Sequence, residues 1–237
     1  MAGLGTRFRS VHPAKALCPI PPTGEPMFVH AIKHLGFSYD RLILITLAEF
    51  NLKTVAADYL KQLGAELIEL SSPTRGPADT VLKARSHLTE TKNHELTIAN
   101  VDQVMVWPGD WAMKWFVARG AEGGIPTLER STKRHSYCLM DQKIPGKVNG
   151  IREKELVSKR ASIGVYWFHK IENFLLAADR MFSAQDVAPN GEYYVGPIYN
   201  HLDGLILEYP LAEFWSLGEP ENLRAYLAKD YAAAALD

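Results

Sequence analysis

The sequence is short of cysteine, of net charge and of long apolar runs. Its only cysteines are Cys18 and Cys138. Two cysteines cannot build a disulfide framework, so a reducing cytoplasm is the expected compartment. Acidic and basic residues nearly cancel, 27 against 26, for a net charge of -1. That excludes bulk electrostatic binding to nucleic acid, so any phosphate binding must be local. No apolar run reaches membrane-spanning length and no secretory leader is recognisable, so no membrane partner is expected. There is no Pro/Ser-rich linker and no internal repeat. What remains is an ordinary globular composition, 47% hydrophobic and 22% charged over 237 residues. That is enough for one domain with a substantial core.

The first half alternates strand and helix patterns. Pro26 to Leu35 reads as a helix, with proline in its first turn and Gly36 as its stop. Arg41 to Leu47 is a continuous apolar run of strand length. Glu49 to Leu63 reads as a helix and Glu66 to Leu70 as a strand. The polar loop Ser71 to Gly76 leads into a helix over Pro77 to Leu88, and Glu95 to Ala99 is the next strand. This alternation predicts an α/β fold with a mixed, mostly parallel central sheet flanked by helices. The second half reads differently. Strands are predicted at Gly124 to Arg130, Ser136 to Met140 and Ile163 to Phe168. They are joined by a turn at Pro145-Gly146 and by a charged segment over Arg152 to Glu155. Helices follow over Lys170 to Phe182 and Val195 to Leu202, then a strand over Leu205 to Tyr209 and a helix over Glu219 to Lys229.

The chemistry begins at Ala2-Gly3-Leu4-Gly5-Thr6-Arg7. Two glycines let backbone N–H groups approach an anion, and Arg7 and then Lys15 add positive charge. By itself such a turn is as often an ordinary surface turn. It lacks the Gly-Lys-Ser/Thr of a Walker loop and the third glycine of a dinucleotide fingerprint. An α/β fold delivers a strand into such a loop. The expectation is therefore that the first strand is missing and that apolar codons stand upstream of Met1.

Asp102 follows the strand ending at Ala99, where α/β sheets present ligand-binding groups. A carboxylate there suits Mg²⁺ held against nucleotide phosphates, and equally suits a capped loop. Glu153 and Lys154 suit a polar, phosphorylated substrate or a solvated turn. Asn190-Gly-Glu-Tyr-Tyr194 combines a turn, a carboxylate and two aromatics. His30 and His34 stand one helical turn apart without a third metal ligand, so they read as structural histidines. Trp107, Trp111 and Trp115 recur at helical spacing and read as core. Ser131, His135 and Asp141 lack a nucleophile elbow and are set aside as a triad.

Taken in order, these pieces resemble the sugar-phosphate nucleotidyltransferase family. Ala2 to Arg7 resembles its Ala-Gly-x-Gly-Thr/Ser-Arg loop, and Lys15 the lysine of its Pro-Lys motif, although here Ala14 intervenes after Pro13. Thr23-Gly-Glu-Pro-Met27 is similar to its Gly-x-Pro-Met segment, and Asp102 to its metal-binding aspartate. Glu153-Lys154 with Gly164-Val-Tyr166 resembles its Glu-Lys and Gly-x-Tyr pair, and Gly218 to Leu223 its late Gly-Thr-Pro-Glu-Asp-Leu. Asn100-Val-Asp-Gln103 and Asn190 to Val195 resemble a branch found in bacterial capsule and lipopolysaccharide gene clusters. Two departures stand out. Trp215-Ser-Leu-Gly218 lacks the aspartate of the family's Trp-x-Asp-x-Gly, and Cys138 follows Tyr137 where glycine is usual.

The resemblance implies a nucleotide-diphosphosugar transferase-like (GT-A-like) fold over one domain, 1–237. Its nucleotide-binding half would be 1–110 and its acceptor-binding half 111–237. It implies transfer of a nucleotidyl group from a nucleoside triphosphate to a sugar 1-phosphate or similar phosphomonoester, releasing pyrophosphate. Arg7, Lys15 and Asp102 would be catalytic, with Asp102 holding Mg²⁺. Ala2, Gly3, Gly5, Thr6, Arg7, Gly76 and Thr80 would bind nucleotide, with Gly76 as the flexible point of its loop. Glu153, Lys154, Gly164 and Glu192 would bind the acceptor, and a homo-oligomer is compatible with the pattern. A glycosyltransferase on the same fold and a nucleotide-binding protein without turnover are the rival expectations.

Overall fold

The computed structural model describes Phe8, residues 11–132 and residues 135–234. The chain opens with a short antiparallel pair, β1 (Pro19–Ile20) and β2 (Glu25–Pro26), leading into α1 (Met27–Lys33). The inward face of α1 buries Met27, Phe28, Val29, Ala31 and Ile32. It ends at Lys33, and Gly36 beyond it takes φ +74°, packed so closely on Trp107 that a Cβ would meet the indole at 2.7 Å. Strand β3 (Leu42–Leu47) runs through α2 (Leu52–Val55) and α3 (Ala57–Leu63) into β4 (Ala65–Leu70), which pairs with it in parallel. The single helix expected over 49–63 is broken. Ala48–Phe50 is a 3₁₀ turn, Asn51 sits in the left-handed region at φ 47°, and Ala56 separates the two helices. Asparagine tolerates that conformation, and the β-branched pair Thr54-Val55 gives the first helix little intrinsic support. The helix expected over 77–88 is likewise two pieces, α4 (Pro77–Leu82) and α5 (Arg85–Thr89).

The rest of the chain supplies β5 (Leu96–Ala99), β6 (Gln103–Val106), α6 (Gly109–Ala118), β7 (Ala121–Glu129), β8 (Ser136–Met140), β9 (Val148–Glu153), β10 (Arg160–Ser162), β11 (Val165–Phe168), α7 (Ile171–Ser183), β12 (Leu205–Pro210), β13 (Glu213–Ser216) and α8 (Pro220–Ala234). The helix expected over 195–202 is a buried 3₁₀ stretch, Gly196–His201, entered through Pro197. The charged segment expected over Arg152 to Glu155 is half strand, with Arg152 and Glu153 ending β9 and Lys154 and Glu155 beyond it. Its charges did not disclose that Val148, Gly150 and Ile151 turn into the core while Arg152 faces water.

A seven-stranded sheet runs β5-β11-β7-β10-β8-β9, with β12 added beside β7. The long strand β7 is its hub. Gly123 and Gly124 in β7 admit the rings of Tyr199 and Phe116, each of which an added Cβ would meet at 2.4 Å. The sheet is mixed and carries helices, as expected. The mostly parallel character is not seen among the described residues, where only β3–β4 and β7–β12 pair in parallel. The short connection over 141–147 makes β8 and β9 antiparallel, whereas β3 and β4 are joined by a helical crossover. Within the described residues no strand precedes β1, and none joins β3 to β5.

Among the described residues the core is four apolar clusters. The largest lies under β7, β8, β11 and α7 and contains Cys138, Phe168 and Tyr199. A smaller one gathers Phe8, Cys18, Ile20, Met27, Val104 and Leu217. Of the three tryptophans read as core, Trp107 is buried but Trp111 is 56% exposed. Both, with Trp115, surround the Tyr209 ring. His30 bonds the Tyr226 hydroxyl at 2.9 Å, and His34 bonds the His30 carbonyl. A cleft of about 2380 Å³ opens along β3 and β5. The loops after β4, β5 and β11 and the Glu192–Tyr194 segment also line it.

Candidate active site

The chain enters the cleft floor where β5 ends and Asn100 to Asp102 turn into β6. Two segments close over that turn because they carry glycine. Gly164, at φ +79°, lies so near Asn100 that a Cβ would come within 2.2 Å of its amide nitrogen. Gly218 would bring a Cβ to 2.6 Å from Asp102 Oδ2, and the Leu217 N–H donates to the Asp102 carbonyl at 2.7 Å. Gly164, expected to bind acceptor, therefore shapes the floor through its packing on Asn100.

Lys15 reaches the same point from the 3₁₀ turn Lys15–Leu17. Its Nζ donates to Asp102 Oδ2 at 2.6 Å, with both side chains about a quarter exposed. The two residues, 87 positions apart, were expected in the site separately and are brought into contact. Leu217, in the segment where the resemblance has a second carboxylate, is fully buried against the Phe8 and Met27 cluster. Among the described residues no group of three or more His, Cys, Asp and Glu side chains is placed to hold a metal. Ala2, Gly3, Gly5, Thr6 and Arg7 lie outside the described residues.

Gly76 and Thr80 both line the cleft. Gly76, expected as a flexible point, is instead held in place. It adopts φ +127° and packs on the backbone of Tyr193, whose carbonyl oxygen a Cβ would meet at 2.6 Å. The Tyr193 N–H donates to the Arg75 carbonyl at 2.8 Å, and the Ala78 N–H donates to the Tyr193 carbonyl at 2.9 Å. Thr80 Oγ1 donates to the Gly76 carbonyl and bonds Thr74 Oγ1 at 2.6 Å. Burial of the Asp79 carboxyl acts to raise its pKa, but hydrogen bonds and charge from Arg75 outweigh this and leave it below the usual range.

Glu153, at the end of β9, also lines the cleft and accepts a hydrogen bond from the Ser136 hydroxyl. Burial raises its pKa, against the opposing pull of Ser136 and of the Lys154 ammonium. Lys154 reaches the cleft wall through Tyr194, to whose hydroxyl its Nζ donates at 2.8 Å. That bond raises the lysine pKa. Glu192 lines the cleft and is bonded by the Tyr194 hydroxyl and by Asn190. Ser136 and Tyr194 were missed from sequence. Tyr194 stands inside the Asn190 to Val195 motif and was legible there, whereas nothing local marks Ser136.

A carboxylate paired with a lysine at a loop tip, in one cleft with further hydrogen-bonding side chains, suits the binding of phosphorylated compounds. Residues 1–161 match the family model of the MobA-like NTP transferase domain. This chain belongs to that family. As an NTP transferase domain its fold is shared with solved structures. One is the nucleoside-diphosphate-sugar pyrophosphorylase of Vibrio cholerae RC9 (TM-score 0.80, 22% identity, 96% of this chain and 98% of that one). A Bacillus anthracis protein named for glucose-1-phosphate thymidylyltransferase has TM-score 0.74 and 18% identity over 96% and 91% of the chains. The UDP-glucose pyrophosphorylase of Acinetobacter baumannii has TM-score 0.69 and 14% identity over 96% and 90%. No curated protein matches the sequence. The family match of this NTP transferase ends before the Glu192–Tyr194 wall, while the shared fold extends through it.

Proposed function

We propose that this NTP transferase joins a nucleoside triphosphate to a sugar 1-phosphate or similar phosphomonoester and releases pyrophosphate. We further propose that its product feeds cell-surface polysaccharide synthesis in the cytoplasm of a bacterium. The observation that carries the reading is the Lys15–Asp102 pair at 2.6 Å, in a cleft that Gly76, Thr80, Glu153 and Glu192 also line. Residues 1–110 would serve the nucleotide and residues 111–237 the acceptor. An acceptor phosphate oxygen attacks the α-phosphorus. The bond from that phosphorus to the bridging oxygen breaks, and pyrophosphate leaves with the electron pair. The attacking oxygen is already an anion, so no general base is required. The protein must hold two anions together and stabilise the charge that develops.

In this reading Gly3, Gly5 and Arg7 cradle the triphosphate and Lys15 neutralises its α-phosphate. Asp102 would hold Mg²⁺. One carboxylate, about a fifth exposed, fits that ion, which takes few protein ligands and completes its shell from phosphate and water. When bound, the ion supplies positive charge to the phosphates. Lys15, paired with Asp102 here, would donate to the phosphate of a bound triphosphate. Glu153 and Glu192 accept hydrogen bonds from acceptor hydroxyls. Fully buried Leu217 favours a second reading, nucleotide binding without turnover. Incubation of each triphosphate with a panel of phosphorylated sugars and polyols, read by pyrophosphate release, tests the proposal. Release with one acceptor class supports it. Nucleotide binding with no release across the panel replaces it with the second reading.

A further inference from the structure

The acceptor-side wall contains one aromatic residue to which the proposed reaction gives no role. Tyr194 lines the cleft and contacts Lys154 in two ways. Its hydroxyl accepts from Lys154 Nζ at 2.8 Å, and the same ammonium stands 4.8 Å from its ring centroid. The hydroxyl in turn donates to Glu192 Oε2 at 2.5 Å. Asn190 Nδ2 donates to both members of that bond, at 2.7 Å to Glu192 and 3.1 Å to the tyrosine.

The lysine is also fixed at its root. Lys154 has φ 58°, a conformation few non-glycine residues adopt, and its N–H donates to the His135 carbonyl at 3.0 Å. The backbone thus sets where the side chain starts, and Tyr194 sets where it ends. A lysine head left free would lose most of its rotamer freedom on meeting a ligand. Holding the ammonium beforehand removes that cost from the binding step.

Tyr194 is itself held by its neighbour. The Tyr193 backbone is tied to Arg75 and Ala78, and its ring stacks on Phe182 at 3.9 Å. The nearby carboxylates are occupied as acceptors, Glu153 by Ser136 and Glu192 by Tyr194 and Asn190. The ammonium has two further protons to offer an anion.

We propose that Tyr194 is a positioning residue that presets the Lys154 ammonium to receive the phosphate of the acceptor. The assignment rests on the reaction proposed above. Tyr194→Phe keeps the ring and removes the hydroxyl. It should raise the acceptor KM about fivefold to tenfold, leave the triphosphate KM unchanged and leave kcat within about twofold. In a Lys154→Met background the same change should add nothing, because the two residues act as one unit. Equal losses for both substrates, or fully additive losses with Lys154→Met, would overturn the assignment. Circular dichroism melts of each variant establish that the fold is retained.

If the wild-type chain releases no pyrophosphate with any acceptor, the proposed reaction fails, and inorganic phosphate then tests Tyr194 separately by titration calorimetry. Several-fold weaker phosphate binding in both Tyr194→Phe and Lys154→Met upholds its role. Binding equal to wild type in Tyr194→Phe removes it.

Discussion

Asp102 and Glu153 line one cleft and are held in opposite ways. Asp102 rests against an ammonium, with its side chain 22% exposed, and an entering cation can displace Lys15 without first stripping the carboxylate of water. Glu153 rests against a neutral hydroxyl, with burial raising its pKa. The first arrangement favours exchange of one positive partner for another. The second favours hydrogen bonds from neutral groups such as sugar hydroxyls. In the proposed reaction the contrast suits Asp102 to charge handling and Glu153 to hydroxyl reading, with the Lys154 ammonium beside the latter for the acceptor phosphate.

The largest effect should come from removing the charge at Asp102. Asp102→Asn should lower pyrophosphate release by about 10²–10³ and abolish its dependence on Mg²⁺, without moving the melting transition. Activity within tenfold of wild type would erase the charge-handling role of Asp102. Lys15→Ala, and Arg7→Ala beside the Gly-rich loop, should each cost about a hundredfold in turnover. A near-neutral Lys15 variant would mean that the ammonium only neutralises Asp102 at rest.

At Glu153 the effects should be smaller and confined to one substrate. Glu153→Gln should lower kcat/KM for the acceptor by about tenfold, the scale of one hydrogen bond to a charged group, with the triphosphate KM unchanged. A matching loss for the triphosphate would dissolve the contrast. The smallest change tests its origin. The Ser136 hydroxyl stabilises the ionised form of Glu153, so Ser136→Ala should raise that carboxyl's pKa further. The acid limb of acceptor kcat/KM should then move to higher pH, by less than about one unit, with little change near neutrality. A limb that stays in place or moves to lower pH would show that Glu153 does not titrate in the acceptor step.

The sequence made the individual members of the site legible better than it did their contacts. Asp102 was visible because it follows an apolar strand, and Lys15 because it follows a Gly-rich turn. Their direct pairing spans 87 residues and leaves no local pattern. Helix α1 was readable because proline and glycine punctuate it. The segment over 49–63 was not, because its breaks occur at Asn51 and Ala56, neither of which forbids a helix. Strand β9 was hidden by Arg152 and Glu153, whose charges read as solvated while their neighbours turned inward. Gly76 read as a source of motion, because a glycine needed for close backbone packing and one needed for flexibility look alike in sequence.

The two cysteines acquire a use from where they lie. Cys18 sits in the Phe8, Met27 and Leu217 cluster beside Asp102, and Cys138 sits in the large core on β8, the strand paired with β9 and Glu153. Burial pushes both thiols upward in pKa, Cys138 the further. A thiol must reach solvent and ionise before it can be alkylated, so each is silent until its own surroundings open. The molecule therefore carries two native chemical clocks, one in the cluster near Asp102 and one in the core behind Glu153. Following the two peptides by mass spectrometry during slow alkylation, with and without nucleotide, reads which of the two a ligand closes first.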